Sequence, residues 1–168
     1  TRTSIEDLQK IAEIGGQLGI DPNQLLPFTV AVNKFNVALG ADFAGGVEEA
    51  ASQVGKIKTL FAQTSKINVA DAIIKTGSAI NELGAVGAGT SANIADFTLR
   101  LGALPAQLKP SLTNTLALGT YLEEVGISAE IGAGGLTKFL LDAGNKLPAF
   151  SKQMGISVQA SKTLLAQD

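Results

Sequence analysis

The chain has 168 residues, enough for one domain or two small ones, and a net charge of −2 with basic residues scattered along its length, unlike a nucleic-acid-binding protein. It contains no cysteine and no histidine, which excludes disulfides, thiolate or imidazole zinc sites, and catalysis by a cysteine nucleophile or a histidine base. Hydrophobic residues make up 45% of the chain but aromatic residues only 5%. Small apolar side chains bury little area each, so we expect a shallow core with some apolar surface left for a partner.

The first half of the chain carries apolar residues at helical spacing and predicts four helices. We expect them at residues 5–18, 22–39, 42–63 and 69–83. Ser4 and Asp21 suit the N-caps of the first two helices, and Pro22 suits the first helical position of the second. The predicted apolar face of the third helix consists of Phe43, Val47, Ala50, Ala51, Val54, Ile57 and Phe61.

The second half predicts four more helices, each beginning at a serine that can cap the first turn. The predicted N-caps are Ser91, Ser111, Ser128 and Ser157, and the helices extend to residues 104, 125, 143 and 168. No stretch shows the two-residue alternation of a strand. The sequence therefore predicts an all-α fold, a multi-helix array of about seven to eight short helices joined by glycine-capped turns.

The glycine-rich stretch 84–89 predicts a flexible break between the two halves. We expect one helical segment over residues 1–168, or two subdomains at 1–84 and 90–168 joined by this stretch. Because the chain begins without methionine, we also expect it to be a portion of a longer protein.

One four-residue pattern recurs where helices meet. It reads Leu-Gly-Ile-Asp at 18–21, Val-Gly-Ile-Ser at 125–128 and Met-Gly-Ile-Ser at 154–157. We expect the glycine to adopt the left-handed conformation that closes one helix, the isoleucine to pack back on it, and the Asp or Ser to cap the next helix. The pattern predicts helix-hairpin joints rather than a binding site. The second and third copies are one helix pair apart, a spacing that allows a weak internal duplication but falls short of a solenoid.

Several longer segments carry a family resemblance through their order and spacing. They are GADFAGGVEEAA at 40–51, GSAINELG at 77–84, TSANIADFTLRL at 90–101, LALGTYLEEVGIS at 116–128 and GGLTKFLL at 134–141. Together they resemble the core region of the tail tape measure proteins of bacteriophages and prophages. The resemblance covers most of the chain, which lacks the long downstream helical region of a complete tape measure protein.

The resemblance implies a structural role. The expected function is that of a tape measure segment that sets tail length and occupies the tail lumen. The expected partners are further copies of the chain and tail tube or tail-tip proteins. The expected location is the virion tail, and the host cytoplasm during assembly. The alternative is a membrane-active helical module that assists genome passage into the host cell during infection.

Candidate sites for chemistry have simpler structural interpretations. The glycines at 84–89 and 131–135 follow no strand and precede no Gly-Lys-Ser/Thr sequence, so we interpret them as packing or joint residues rather than a phosphate loop. Neighbouring carboxylates at 48–49 and 123–124 point about 100° apart on a helix and do not face each other across a cleft. We therefore nominate no catalytic, cofactor-binding or metal-binding residue, and expect no enzyme activity, cofactor, small-molecule substrate or sequence-specific nucleic acid.

The remaining charged and aromatic residues also favour structural roles. Asp96 and Arg100 are spaced for a surface ion pair on one helix. The densest basic group has irregular spacing and is interpreted as a solvated surface: Lys56, Lys58, Lys66 and Lys75. Tyr121 and the seven phenylalanines lie mostly on apolar stripes, which favours core packing over stacking on nucleic-acid bases.

Overall fold

A computed structural model describes residues 3–87 and 89–166, and these residues form ten α-helices and one 3-10 turn, with no strand among them. The helices are α1 (Ile5–Gln17), α2 (Pro22–Leu39), α3 (Gly46–Leu60), α4 (Ala62–Ser65), α5 (Val69–Val86), α6 (Ser91–Gly102), α7 (Leu112–Glu124), α8 (Ala129–Asn145), α9 (Leu147–Met154) and α10 (Val158–Ala166). The all-α prediction is confirmed. The helix count is slightly higher than predicted because α4 was not separated from the predicted third helix and α9 was not predicted.

The predicted third helix, 42–63, is interrupted at both ends. The chain makes a 3-10 turn at Gly40–Asp42, Phe43 is extended with ψ 120°, and α3 starts only at Gly46, with Gly45 as its N-cap. At the other end Phe61 is extended with ψ 137° and separates α3 from α4. Both phenylalanines are nonetheless buried, so the apolar spacing predicted burial correctly and conformation wrongly.

Two further boundaries differ from the predictions. Helix α5 continues through Gly84 and ends at Val86, so the break starts at Gly87 rather than at residue 84; Ala88 lies outside the described residues. The N-cap of α6 is Thr90, whose side chain accepts from the Asn93 amide, and the predicted cap one residue later is already helical.

The three predicted joints are confirmed. Gly19, Gly126 and Gly155 have φ of 71°, 78° and 68°. The isoleucine after each glycine donates its amide to the carbonyl five residues earlier, at 3.0, 2.8 and 3.1 Å, which closes a Schellman motif. The Asp or Ser that follows then accepts an amide of the next helix at 2.8, 3.5 and 3.0 Å. At each joint one helix thus ends in a capped turn and the next helix begins at its own N-cap, with no linker between them.

The termini of several helices meet at two opposite ends of the bundle. Asn68 donates to Gln24 at 3.1 Å, so α2 and α5 begin side by side, and the final residues of α3 and α6 adjoin at Leu60 and Gly102. We call this the α4 end. The amide of Ser91 donates to Asp42 at 3.2 Å, so α6 begins beside the 3-10 turn. We call that opposite end, where α5 and α7 terminate, the turn end.

Two apolar cores lie inside the bundle. The larger one includes Ile11, Phe28, Val54, Ile73, Ile80, Ile94 and Leu116 and therefore draws on helices from both halves of the sequence. The smaller one consists of Phe97, Leu101, Leu104, Ala129 and Ala133, with partly buried leucines of α7 and α8 around it. No described side chain of 147–166 belongs to either core, and the hairpin α9–α10 is joined internally by Ser151 and Ser161, whose buried hydroxyl oxygens lie 2.7 Å apart.

Glycines on the helices receive the few aromatic rings. A methyl group added at Gly119 would lie 2.9 Å from Phe97 Cδ1, and one added at Gly132 would lie 3.5 Å from Cε2 of the same ring. The same seating places Phe28 against Gly15 and Gly55, Phe35 against Gly77, and Phe61 against Gly102. A missing side chain on one helix thus accommodates a large one on its neighbour, which lets a chain poor in aromatic residues build a dense core.

Candidate interaction surface

The helices of the second half expose apolar side chains that the two cores do not use. On α7, Leu118 and Tyr121 share one face, and Val125 continues it by a turn at the helix end. On α8, Ile131 is 71% exposed and Phe139 is 52% exposed, although Ala133 between them is buried. One face of α8 therefore packs against the bundle, while other positions on the same helix present apolar side chains to the outside.

An apolar groove of about 540 Å³ lies between α7 and α8. Its walls are Leu108, Ala117, Leu118, Leu136, Leu140 and Leu164, with Lys109 and Asn114 at its rim. We call it the α7–α8 groove. Leucines from the loop before α7, from α8 and from α10 converge there without closing it, so it offers an apolar surface of the size that proteins use for ligands and partner side chains.

A second groove, of about 690 Å³, lies on the other side of α7. It is lined by Ala79, Leu83, Ala85, Thr113, Leu116 and Ala117, and Glu82 lies at its edge. We call it the α5–α7 groove. Because Ala117 belongs to both grooves, α7 forms a ridge with an apolar depression on each side. This relief is what an approaching helix could pack against.

The aromatic prediction is confirmed in part. Five phenylalanines are buried in the cores or beside them: Phe28, Phe35, Phe43, Phe61 and Phe97. Phe139 instead packs edge-on against Phe150 of α9, with ring centroids 5.6 Å apart, and Tyr121 is 59% exposed on α7. For those two residues the prediction of core packing is wrong, since their helical stripes face outward.

The neighbouring carboxylates serve local structure. Glu48 pairs with Lys10 at 3.0 Å, and Glu49 accepts from the Gly45 amide at 2.8 Å at the start of α3. Glu123 accepts from the Asn93 side chain at 2.8 Å, which ties the end of α7 to the start of α6. Each of these three carboxylates thus contacts a different neighbour, and none faces a second carboxylate across a cleft.

Titration shifts follow from surface ion pairs. The hydrogen bond to Glu48 raises the pKa of Lys10, and the predicted partner Asp96, 2.9 Å away, raises the pKa of Arg100. On α8 the hydrogen bond from Lys138 lowers the pKa of Asp142, with the charge of Lys146 adding to it. These exposed pairs lie apart from one another, two within or at the end of single helices and one between α1 and α3, so they are surface ion pairs rather than a reactive centre.

The glycine stretch at 131–135 lies inside α8, which starts at the Ser128 cap as predicted. Gly132 receives Leu122 and Phe97, whereas Gly134 and Gly135 have no neighbouring atom within 4 Å of an added methyl group. Part of this stretch is therefore a packing surface, and part faces outward. The described residues contain no group of three potential metal-ligating side chains, and no helix among them is long and apolar enough to cross a membrane.

Fold and surface together define an all-helical module with apolar grooves on both sides of one outer helix. A family model described as phage-related minor tail protein matches residues 1–167. The chain therefore belongs to the phage-related minor tail protein family, which makes it a protein of phage tails and places it in the virion tail. No curated protein and no solved structure matches the chain.

Proposed function

We propose that the chain is a compact, non-catalytic segment of a tail tape measure protein that occupies the tail lumen and contributes to tail length. The family match over residues 1–167 carries this proposal, because it establishes the tail protein on which the finer role rests. The segments quoted above, from 40–51 to 134–141, support the tape measure role through their resemblance to that core region.

The fold supports a particular form of this role. The longest helices, α2 and α5, have 18 residues, and at about 1.5 Å per residue each is about 27 Å long. The same 168 residues in one continuous helix would extend for about 250 Å. A segment that remains folded therefore adds about one helix length to a molecular ruler, rather than the full length of its chain.

The exposed apolar surface supports the proposed partners. The α7–α8 groove and the outward side chains of α8 leave apolar area that this fold does not cover, and such patches commonly mark interfaces. We propose that these faces contact tail tube or tail-tip proteins and neighbouring copies of the chain, both in the virion and during assembly in the host cytoplasm.

Insertion of one, two and three extra copies of the segment into the parent gene tests the length role. Electron microscopy of the resulting tails should show a mean length that rises by about 27 Å per copy if the segment stays folded. A rise near 250 Å per copy would keep the length role but contradict the compact form. Normal tails of unchanged length for all three insertions would refute the length role.

The alternative function, membrane activity during infection, would use the hairpin α9–α10. No side chain that the structure describes in this hairpin belongs to the two cores, and Met154, Val158 and Leu164 are exposed. Leakage of dye from liposomes on addition of the segment, reduced by Met154→Ser and Leu164→Ser, would support this alternative. Intact liposomes across the same concentration range would reject it.

A further inference from the structure

Basic side chains gather at the α4 end of the bundle. Lys58 donates to the Ser65 carbonyl at 3.4 Å, and Lys109 donates to the Leu60 carbonyl at 2.7 Å, so residues far apart in sequence meet around α4. Lys75 lies beside the same helix. The group consists of Lys56, Lys58, Lys66, Lys75 and Lys109. The irregular spacing in sequence concealed a common location, because the lysines come from four different segments.

Acidic side chains gather at the turn end. Asp42 accepts from the Ser91 amide at 3.2 Å, Glu123 accepts from Asn93 at 2.8 Å, and Glu124 lies beside Gly87. The chain directions of α1, α3 and α5 bring further carboxylates to this end: Glu6, Asp7, Glu48, Glu49 and Glu82. The turn end is thus the more acidic of the two ends, although Asp21 and Asp71 at the starts of α2 and α5 offset part of the basic charge of the α4 end.

Helix stability explains only part of this distribution of charged side chains. Acidic residues in the first turns of α1 and α3 favour those helices, because a helix N-terminus carries partial positive charge. Glu82 and Glu124 lie near the C-termini of α5 and α7, where a carboxylate opposes the helix dipole. Neither residue forms an ion pair with a described residue, and the same is true of the exposed Lys66 and Lys75 at the α4 end.

We propose that the α4 end of one copy docks on the turn end of a second copy, so that copies associate head to tail through opposite charges. A second copy fits better than nucleic acid because the chain itself supplies a complementary acidic surface, and because the α4 end offers no exposed aromatic ring for base stacking. The contact is heterologous, so it can repeat along a line. It does not depend on the tape measure role.

Two double charge reversals test this polarity. Lys66→Glu with Lys75→Glu weakens the positive charge of the α4 end, and Glu82→Lys with Glu124→Lys weakens the negative charge of the turn end. All four side chains are exposed, so circular dichroism should show the wild-type helix content in both variants. Sedimentation should show that each variant alone self-associates about tenfold or more weakly than the wild type at low salt. An equimolar mixture should regain association, because the unchanged turn end of the first variant can meet the unchanged α4 end of the second.

The control variant reverses two exposed lysines that do not belong to the α4-end group, by Lys152→Glu on α9 and Lys162→Glu on α10. It should associate like the wild type, and wild-type association should disappear at high ionic strength. A wild-type mass that stays monomeric at low salt, or a mixture that fails to recover association, overturns the proposal. Binding of duplex DNA lost on reversal of Lys66 and Lys75, with no change in protein mass, would instead assign the α4 end to nucleic acid.

Discussion

The seating of aromatic rings on glycines makes a quantitative prediction for Gly119→Ala. A methyl group there would lie 2.9, 3.3 and 3.4 Å from Cδ1, Cγ and Cβ of Phe97. Because Phe97 is fully buried, its ring can move away from the added methyl group only by displacing the side chains around it. Forcing an extra carbon into a packed core costs about 1–3 kcal/mol, and the higher helix propensity of alanine returns about 1 kcal/mol.

Gly134→Ala is the matched control, since Gly134 also lies inside a helix but has no neighbour within 4 Å of the added methyl group. The propensity gain is common to both variants, so their difference in unfolding free energy isolates the overpacking cost of about 1–3 kcal/mol. For a chain of this size, each kcal/mol corresponds to about 2–4 °C in the melting temperature. Thermal unfolding followed by circular dichroism should rank Gly134→Ala above the wild type and Gly119→Ala below it. Equal melting temperatures for the two variants would refute the claim that Gly119 is needed to make room for the Phe97 ring.

Further variants test other features of the fold. Gly126→Val should lower the melting temperature more than Gly134→Ala, because a β-branched residue is disfavoured at φ 78°; equal melting temperatures would count against the joint. Lys109→Met should cost about 1–2 kcal/mol in chemical denaturation because it removes the hydrogen bond to Leu60 and the ammonium group 5.7 Å from the Phe61 ring; a loss no larger than that of Lys75→Met would contradict this. Asp142→Asn should destabilise slightly near neutral pH and match the wild type in acid, because a pKa lowered by folding gives stability that is lost as pH falls through the folded value; a difference that persists in acid would point to another cause. Ser161→Val should speed proteolysis within 147–166 only, since it breaks the contact with Ser151; unchanged cleavage would show that other contacts hold the hairpin.

The sequence predicted the joints and the class of fold because both depend on local chemistry. A glycine that closes a helix, followed by an isoleucine and a capping side chain, needs only neighbouring residues to form, and all three copies have the expected geometry. The breaks at Phe43 and Phe61 were not predicted, because an extended residue at the end of a helix can keep its ring on the buried side. Helix α9 was missed although Pro148 in its first turn and Gly155 at its end were available as signals.

The candidate surface could be predicted only in outline. Low aromatic content indicated that some apolar area would stay uncovered, and Ile131 and Phe139 on α8 fit that expectation. The position of the grooves depends on how α7 lies between α5 and α8, which no local pattern encodes. The gathering of lysines at the α4 end was missed for the same reason, because spacing along the chain says nothing about segments that meet only after folding.

Cross-linking of purified tails with an amine-reactive reagent tests most directly whether this chain is a compact tail segment. Lys58 and Lys109 both donate to carbonyls at the α4 end, whereas in one continuous helix they would be about 75 Å apart. We predict a cross-link between these two lysines in intact tails, together with cross-links from the segment to the tail tube protein. Absence of the segment from purified tails, or cross-links only between lysines that are close in sequence, would contradict the account.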